Sequence, residues 1–371
     1  MQLAESDEQR ELRASIRRFL TEKSALPAVR ELMETERGYD EAVWQQAASQ
    51  LGLTAMAIPE EYGGAGFTFI EQAIVLEELG RSLYCGPYFA SAVLAANALL
   101  LSGDDAAERD YLPGIASGEL VATLAFTDDG GGWDGTGAGL SASADGERWL
   151  LSGHRSLVLD GHTAGLILAV GQTPAGPSLF AVDSDAPGLT ARMLPTLDQT
   201  RRLARVECQD VPARLIGADG GAADVLARTL DIAAIALAAE QLGGAQAALD
   251  MAVHYLKVRE QFDRPIGSFQ SLKHRSADLL LEIESTRSAV LYGAWAVAES
   301  SDEVPVVASL AKAYASETFA HAAGENIQMH GGIGFTWEHD AHLYFKRANF
   351  DEQFLGDPAY HRERLATRIG I

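Results

Sequence analysis

Apolar positions recur at helical spacing through the first third of the chain. Leu12, Ile16, Phe19 and Leu20 fall on one face, and Ile70, Ala73, Ile74 and Leu79 share another, which predicts amphipathic helices. The run Pro59-Glu60-Glu61-Tyr62-Gly63-Gly64-Ala65-Gly66 interrupts them as a turn-rich loop. From about residue 121 the pattern changes. Short apolar runs at 120–126, 149–151, 166–170, 179–182 and 204–208 alternate with Gly, Asp and Pro clusters, which predicts strands of a small antiparallel domain. After Asp210-Val211-Pro212 and the glycines at 217–221, helical spacing returns. Leu242, Leu249, Val253 and Leu256 lie on one face, and Leu279, Ile283, Val290, Ala294 and Val297 on another. The pattern predicts a mostly α chain with a small central antiparallel β-domain: N-terminal helices over 1–119, a β-domain over 120–218 and a helical bundle over 219–371.

Composition narrows the function classes. A net charge of −23 argues against nucleic acid as a partner, because binding phosphate backbones needs a positive field. No run of 18 apolar residues exists, and the first eight residues are acidic, so neither a membrane span nor a signal peptide is expected. The two cysteines, Cys85 and Cys208, lie far apart and match no metal spacing, which leaves reduced thiols and a cytoplasmic location as the expectation. His339 and His342 are spaced i, i+3 without a HExxH or cysteine companion and read as solvated surface histidines. No Gly-x-Ser-x-Gly nucleophile elbow is present.

Two segments carry candidate chemistry. In Arg259-Glu260-Gln261-Phe262-Asp263-Arg264-Pro265-Ile266-Gly267-Ser268-Phe269-Gln270, Arg259 stands near the end of a predicted helix. A guanidinium fork matches pyrophosphate oxygens, and nearby Phe262 can cover an adenine or ribose face. The plainer alternative is an arginine favoured by the helix C-terminus and a core phenylalanine. In Gln328-Met329-His330-Gly331-Gly332-Ile333-Gly334-Phe335, the glycines allow close backbone approach and the Gln328 amide can bond ribose or phosphate. This is not a dinucleotide GxGxxG, since no strand precedes it and Trp337 occupies the third glycine position.

Together the two segments resemble the signatures with which acyl-CoA dehydrogenases hold the ADP half of FAD. The Pro59–Gly66 loop is similar to the family's "PEEYGG" loop, and the layout of helices, β-domain and C-terminal four-helix bundle is that of the family's fold. The resemblance implies FAD as cofactor and Arg259, Phe262, Phe269, Gln270, Gln328, Gly331 and Gly332 as residues serving the flavin held by a neighbouring subunit.

The same resemblance implies that the other half of the chemistry is missing. The family places its catalytic Glu either in a "YEGT"-like segment, here Phe354-Leu355-Gly356-Asp357 with Leu355 at the Glu position, or at the position of Ala233, beside Ala234. The family's "TEPGAGSD" loop reads Thr127-Asp128-Asp129-Gly130-Gly131-Gly132-Trp133-Asp134, and the positions of its ring-contacting Trp and Thr hold Leu157 and Leu159. Leucine offers no hydrogen bond to ring heteroatoms. Asp351, Glu352, Glu240 and Asp231 remain as relocated-base candidates, each more simply read as a structural or solvated acid.

A chain with ADP-half ligands and no base fits a hetero-oligomer. The resemblance extends to a subgroup of actinobacterial α₂β₂ heterotetramers acting on CoA thioesters of steroid side chains, to which Leu197–Ala204 and Gly356-Asp357…Tyr360-His361-Arg362 are similar. It implies a homologous Glu-bearing partner, an acyl-CoA substrate in the complex, and an electron-transfer flavoprotein or similar acceptor. Two alternatives stay open: a self-sufficient homo-oligomeric flavoenzyme with a relocated base, and a flavin-free structural subunit.

Overall fold

The computed structural model describes residues 5–135, 137–146 and 148–371. In chain order its elements are α1 (Asp7–Lys23), α2 (Leu26–Met33), α3 (Glu41–Leu51), α4 (Phe69–Arg81), α5 (Ala96–Leu100) and α6 (Asp105–Ala116), then β1 (Ala122–Ala125), β2 (Leu140–Asp145), β3 (Arg148–Leu159), β4 (Leu166–Thr173), β5 (Gly176–Asp183), β6 (Leu189–Leu194) and β7 (Leu203–Ile216). They are followed by α7 (Ala222–Val258), the short strands β8 (Glu260–Gln261) and β9 (Arg264–Pro265), and α8 (Gln270–Ala298), α9 (Val304–His330), α10 (Ala341–Gln353) and α11 (Pro358–Ile369). The chain forms two compact units. One comprises the N-terminal residues through Glu31, Phe69–Tyr84 and Ala234–Ile371; the other comprises Leu32–Thr68 and Cys85–Ala233. Among the described residues, no helix is long and apolar enough to cross a membrane.

In the first unit, local chemistry starts α1: the Ser6 hydroxyl accepts from the backbone of Gln9 while the Gln9 side chain accepts from the backbone of Ser6, a capping box. Ile16, Phe19 and Leu20 then form its buried face. Its outer turns are tied to α4 through Glu78, whose carboxylate takes Arg13 at 2.8 Å and Arg17 at 2.6 Å. Glycines let α4 and α7 meet backbone to backbone. A Cβ on Gly80 would lie 2.0 Å from the Glu240 carbonyl oxygen, and one on Gly243 would lie 1.8 Å from that of Glu77. Helix α9 packs against α8, α10 and α11. Lys312, fully buried on α9, donates to Ser316 Oγ (2.8 Å) and to the carbonyls of Asp351 (2.9 Å) and Gly356 (3.0 Å), so one ammonium satisfies the end of α10 and the turn beyond it.

In the second unit, the sheet runs β1-β4-β2-β3-β7-β5, with β6 added on β7; β5 also pairs β4, which closes the sheet on itself. The predicted antiparallel domain is corrected here: the sheet is mixed, because β1 runs parallel to β4 from Ala122 opposite Leu166 to Ala125 opposite Ala169. Both are buried along those residues, as parallel strands covered on two faces are, and a short uniformly apolar run carries no mark of its direction. Strands β2 and β6 lay outside the predicted runs. Strand β2 buries only Leu140 and Ala142, and β6 is largely exposed and held by its ladder to β7.

Candidate functional site

Helix α7 ends at Val258, so Arg259 sits just past it, its N–H donating to the Tyr255 carbonyl (2.8 Å). The chain then turns back as a tiny hairpin instead of continuing as helix. Glu260 pairs with Pro265 and Gln261 with Arg264, and the Ile266 N–H donates to the Arg259 carbonyl (2.8 Å). The two turn residues, Phe262 (φ 56°) and Asp263 (φ 62°), are both left-handed, the mirror-image turn that matches strand twist. Glycine and asparagine usually hold such positions, and a phenylalanine there is a backbone outlier.

The hairpin presents Phe262 with 85% of its surface exposed, its edge against Phe269 at 6.0 Å between centroids. The Arg264 guanidinium lies over the Phe269 ring at 4.1 Å. Phe269 is the N-cap residue of α8, and Gln270, its first residue, is exposed. Arg259 is exposed, and among the described residues no side-chain or backbone group bonds its guanidinium.

The second segment ends α9. Gln328 is exposed on the last turn, and the chain breaks at Gly331, whose φ 64° and ψ −142° suit glycine alone. Nothing lies within 4 Å of a Cβ built on Gly331 or Gly332, so an open backbone surface faces outward there. Gly334 differs: a Cβ would stand 2.8 Å from both His330 Cβ and the Ile327 carbonyl oxygen, so this glycine is needed to fold the turn against α9.

A stack that the sequence pattern does not show holds the two segments. The ring of His330 is packed between Tyr255 (4.3 Å) and His339 (4.2 Å), and its Nδ1–H donates to the Asn326 carbonyl (2.8 Å). Tyr255 is one turn before Arg259 and His330 directly precedes Gly331, so this stack joins the base of one segment to the base of the other. Burial lowers the pKa of both histidines, and each favours the neutral ring. The expectation of solvated histidines at 339 and 342 is therefore corrected. Both are partly buried, His342 stacking on Trp337 at 4.7 Å beside Arg30, which bonds Asp340 at 2.6 Å. Among the described residues, no group of three His, Cys, Asp or Glu side chains could hold a metal ion.

Leu355 is 3% exposed and left-handed (φ 62°). Its carbonyl accepts from His361 Nε2 (3.0 Å), and Lys312 holds the carbonyls on either side. Desolvation drives the Lys312 pKa down to about 8 and the His361 pKa down to about 3. Ala233 and Ala234 are buried aliphatic positions on α7. Of the alternative acids, Glu240 is locked to Arg347 in a buried pair at 2.7 Å, and Asp231 and Asp351 are buried. Glu352 stands beside Lys312, its backbone carbonyl 3.3 Å from the ammonium.

In the second unit, the Thr127 hydroxyl donates to the Ser156 carbonyl. Asp129 is gripped by Arg205 (2.6 Å), with the Ser156 hydroxyl and His154 adding to the grip; the Arg205 bond foremost holds its carboxyl far below the usual range. Leu157 takes a left-handed conformation (φ 57°) at a bulge of β3, and Leu159 is buried. Trp133 packs near Phe126 at 6.3 Å.

Comparison with known proteins bears on this arrangement. Residues 6–119 match the acyl-CoA dehydrogenase N-terminal domain and residues 219–370 match the acyl-CoA dehydrogenase C-terminal domain. The chain is similar to acyl-CoA dehydrogenase IpdE2 of Mycolicibacterium smegmatis, with 38% identity over 98% of this chain and 99% of the relative. Among solved structures it is similar to a Tcur3481–Tcur3483 steroid ACAD variant (TM-score 0.89, 34% identity, 98% of each chain). It is also similar to the ChsE4–ChsE5 complex of Mycobacterium tuberculosis (TM-score 0.91, 28% identity, 100% of this chain and 99% of that one). A mostly helical chain with one small β-domain, matched along nearly its whole length by these proteins, belongs to the acyl-CoA dehydrogenases, a family of FAD-dependent oxidoreductases.

Proposed function

We propose that this chain is the base-less subunit of a heteromeric acyl-CoA dehydrogenase. In this reading it binds the ADP half of an FAD whose ring and catalytic Glu belong to a homologous partner. Arg259 takes pyrophosphate, Phe262 covers adenosine, and Gln328 with the Gly331–Gly332 backbone closes on ribose or phosphate; Phe269 and Gln270 support the hairpin side. The division into 1–119, 120–218 and 219–371 belongs to the same reading.

One observation carries it. Every ADP-half candidate is exposed or half-exposed, and the guanidinium of Arg259 has no partner among the described residues, while Leu355 is buried and the carbonyls of its turn are bonded by Lys312 and His361. The ligand set fits the ADP half of FAD. It does not fit the ring: Leu157 and Leu159 carry no donors, and the Thr127 hydroxyl is spent on Ser156. Bound FAD supplies the hydride acceptor for α,β-desaturation of a CoA thioester. This chain's part is to bind and orient that cofactor, with proton abstraction left to the partner's carboxylate. Similarity to a steroid ACAD and to a two-protein complex supports a heteromeric assembly and a steroid thioester as substrate. The acceptor is an electron-transfer flavoprotein or a similar carrier.

Co-expression with a Glu-bearing homologue tests the reading. Activity that appears only in the complex and survives amide substitution of Asp351, Glu352 or Glu240 supports it. Dehydrogenation by this chain alone overturns it.

A further inference from the structure

Arg264 has a place in the hairpin that the site residues above do not account for. The ladder sets Gln261 opposite Arg264, and the bond from the Ile266 N–H to the Arg259 carbonyl sets Arg259 opposite Ile266. Residues opposite one another in a ladder share a face, as do residues two apart along a strand. Arg259, Gln261 and Arg264 therefore lie on one face, with the two arginines as diagonal neighbours about 7–8 Å apart. Among the described residues no carboxylate lies within ion-pair distance of either guanidinium, although the chain carries a net charge of −23. Two like charges on one face of a hairpin repel each other unless an anion lies between them. Arg264 is not loosely placed either: its guanidinium carbon lies 4.1 Å from the centre of the Phe269 ring, and among the described residues none of the guanidinium N–H groups is bonded.

We propose that Arg264 is a second phosphate-binding residue, so that Arg259 and Arg264 each take one phosphate of a pyrophosphate. The inference rests on the reading of the hairpin as an FAD site and adds a residue to it. Phe269 then has a defined role as the platform that orients Arg264 before the ligand arrives, which reduces the ordering cost of binding.

The test uses the co-expressed complex, stripped of flavin and titrated with FAD, with circular dichroism to confirm folding. Arg264→Leu keeps an apolar side chain over Phe269 and removes the donors; Arg264→Lys keeps the charge and removes the fork. Arg264→Leu is expected to weaken FAD binding ten- to a hundredfold and to flatten its dependence on salt, with Arg264→Lys intermediate. If Arg264→Leu binds FAD as wild type while Arg259→Ala loses it, Arg264 only packs on Phe269 and the inference is wrong, with the FAD reading intact. If neither variant alters FAD binding, both are wrong. Should Arg264→Leu not fold, Arg264→Gln gives the same decision, since it too lacks the charge.

Discussion

The ring of Tyr255 lies 4.3 Å from that of His330, and this contact joins the end of α7 to the end of α9. Arg259 lies one turn after Tyr255, and Gly331 follows His330 directly, so the relative placement of the two candidate segments depends on this stack. Its truncation should be felt at both. His330→Ala is expected to cost about 2–3 kcal/mol through lost packing and the lost side-chain bond to the Asn326 carbonyl. It should also weaken flavin retention more than that of a variant equally destabilised elsewhere. Thermal midpoint and flavin content measured together check this.

Acidification should unfold the protein through its buried histidines. His330, His339 and His342 have folded pKa values below the ordinary 6.5, and His361 is pushed down to about 3, all by burial foremost. In the sign of the linkage, the unfolded chain binds more protons between the folded and unfolded values. The stabilisation is therefore complete above about pH 6.5 and is lost as pH falls toward the lowered values. Denaturant midpoints from pH 7 to pH 4 should fall steadily, and His361→Gln should flatten that slope. An unchanged slope in the variant contradicts the assignment.

Left-handed Phe262 and Asp263 store strain at the tip of the hairpin. Asp263→Gly relieves one of the two positions and is expected to be neutral or stabilising by up to about 1 kcal/mol, since glycine's greater freedom in the unfolded chain offsets part of the gain. Asp263→Val is expected to destabilise by about 1–2 kcal/mol and to lower flavin affinity, because a β-branched residue resists this conformation. Chemical denaturation of the pair measures the difference.

Leu355→Glu alone should create no dehydrogenase activity. The turn around it is set by Lys312 and His361, and the leucines at 157 and 159 still provide no ring-binding donors. Turnover by the single variant, assayed without the partner, would show that this chain's own flavin face is intact.

The helices were legible because their apolar residues recur with the helical period: Ile16, Phe19 and Leu20 are buried where the pattern placed them, as are Leu279, Ile283, Val290 and Ala294. Strand direction was not, since Ala122–Ala125 and Leu166–Val170 read the same in either orientation; β2 and β6 bury too few residues to stand out. Arg259, Phe262 and Gln328 stand out in the sequence as members of strings that resemble the family's. The hairpin bearing two of them was hidden because Phe262 and Asp263 are not the residues that such a turn prefers. The Tyr255–His330–His339 stack was hidden for another reason: its members sit on separate segments, and only the folded chain brings them together. The glycine doublet at 331 and 332 showed openness in composition, but not that Gly334 serves packing instead.

The central claim concerns whose flavin this chain binds, and a flavin-to-chain count on the co-expressed complex tests it most directly. The account predicts about one FAD for every two chains in a closed hetero-oligomer, falling toward none with Arg259→Ala in this subunit. One FAD per chain, or full flavin content retained by Arg259→Ala, would contradict it.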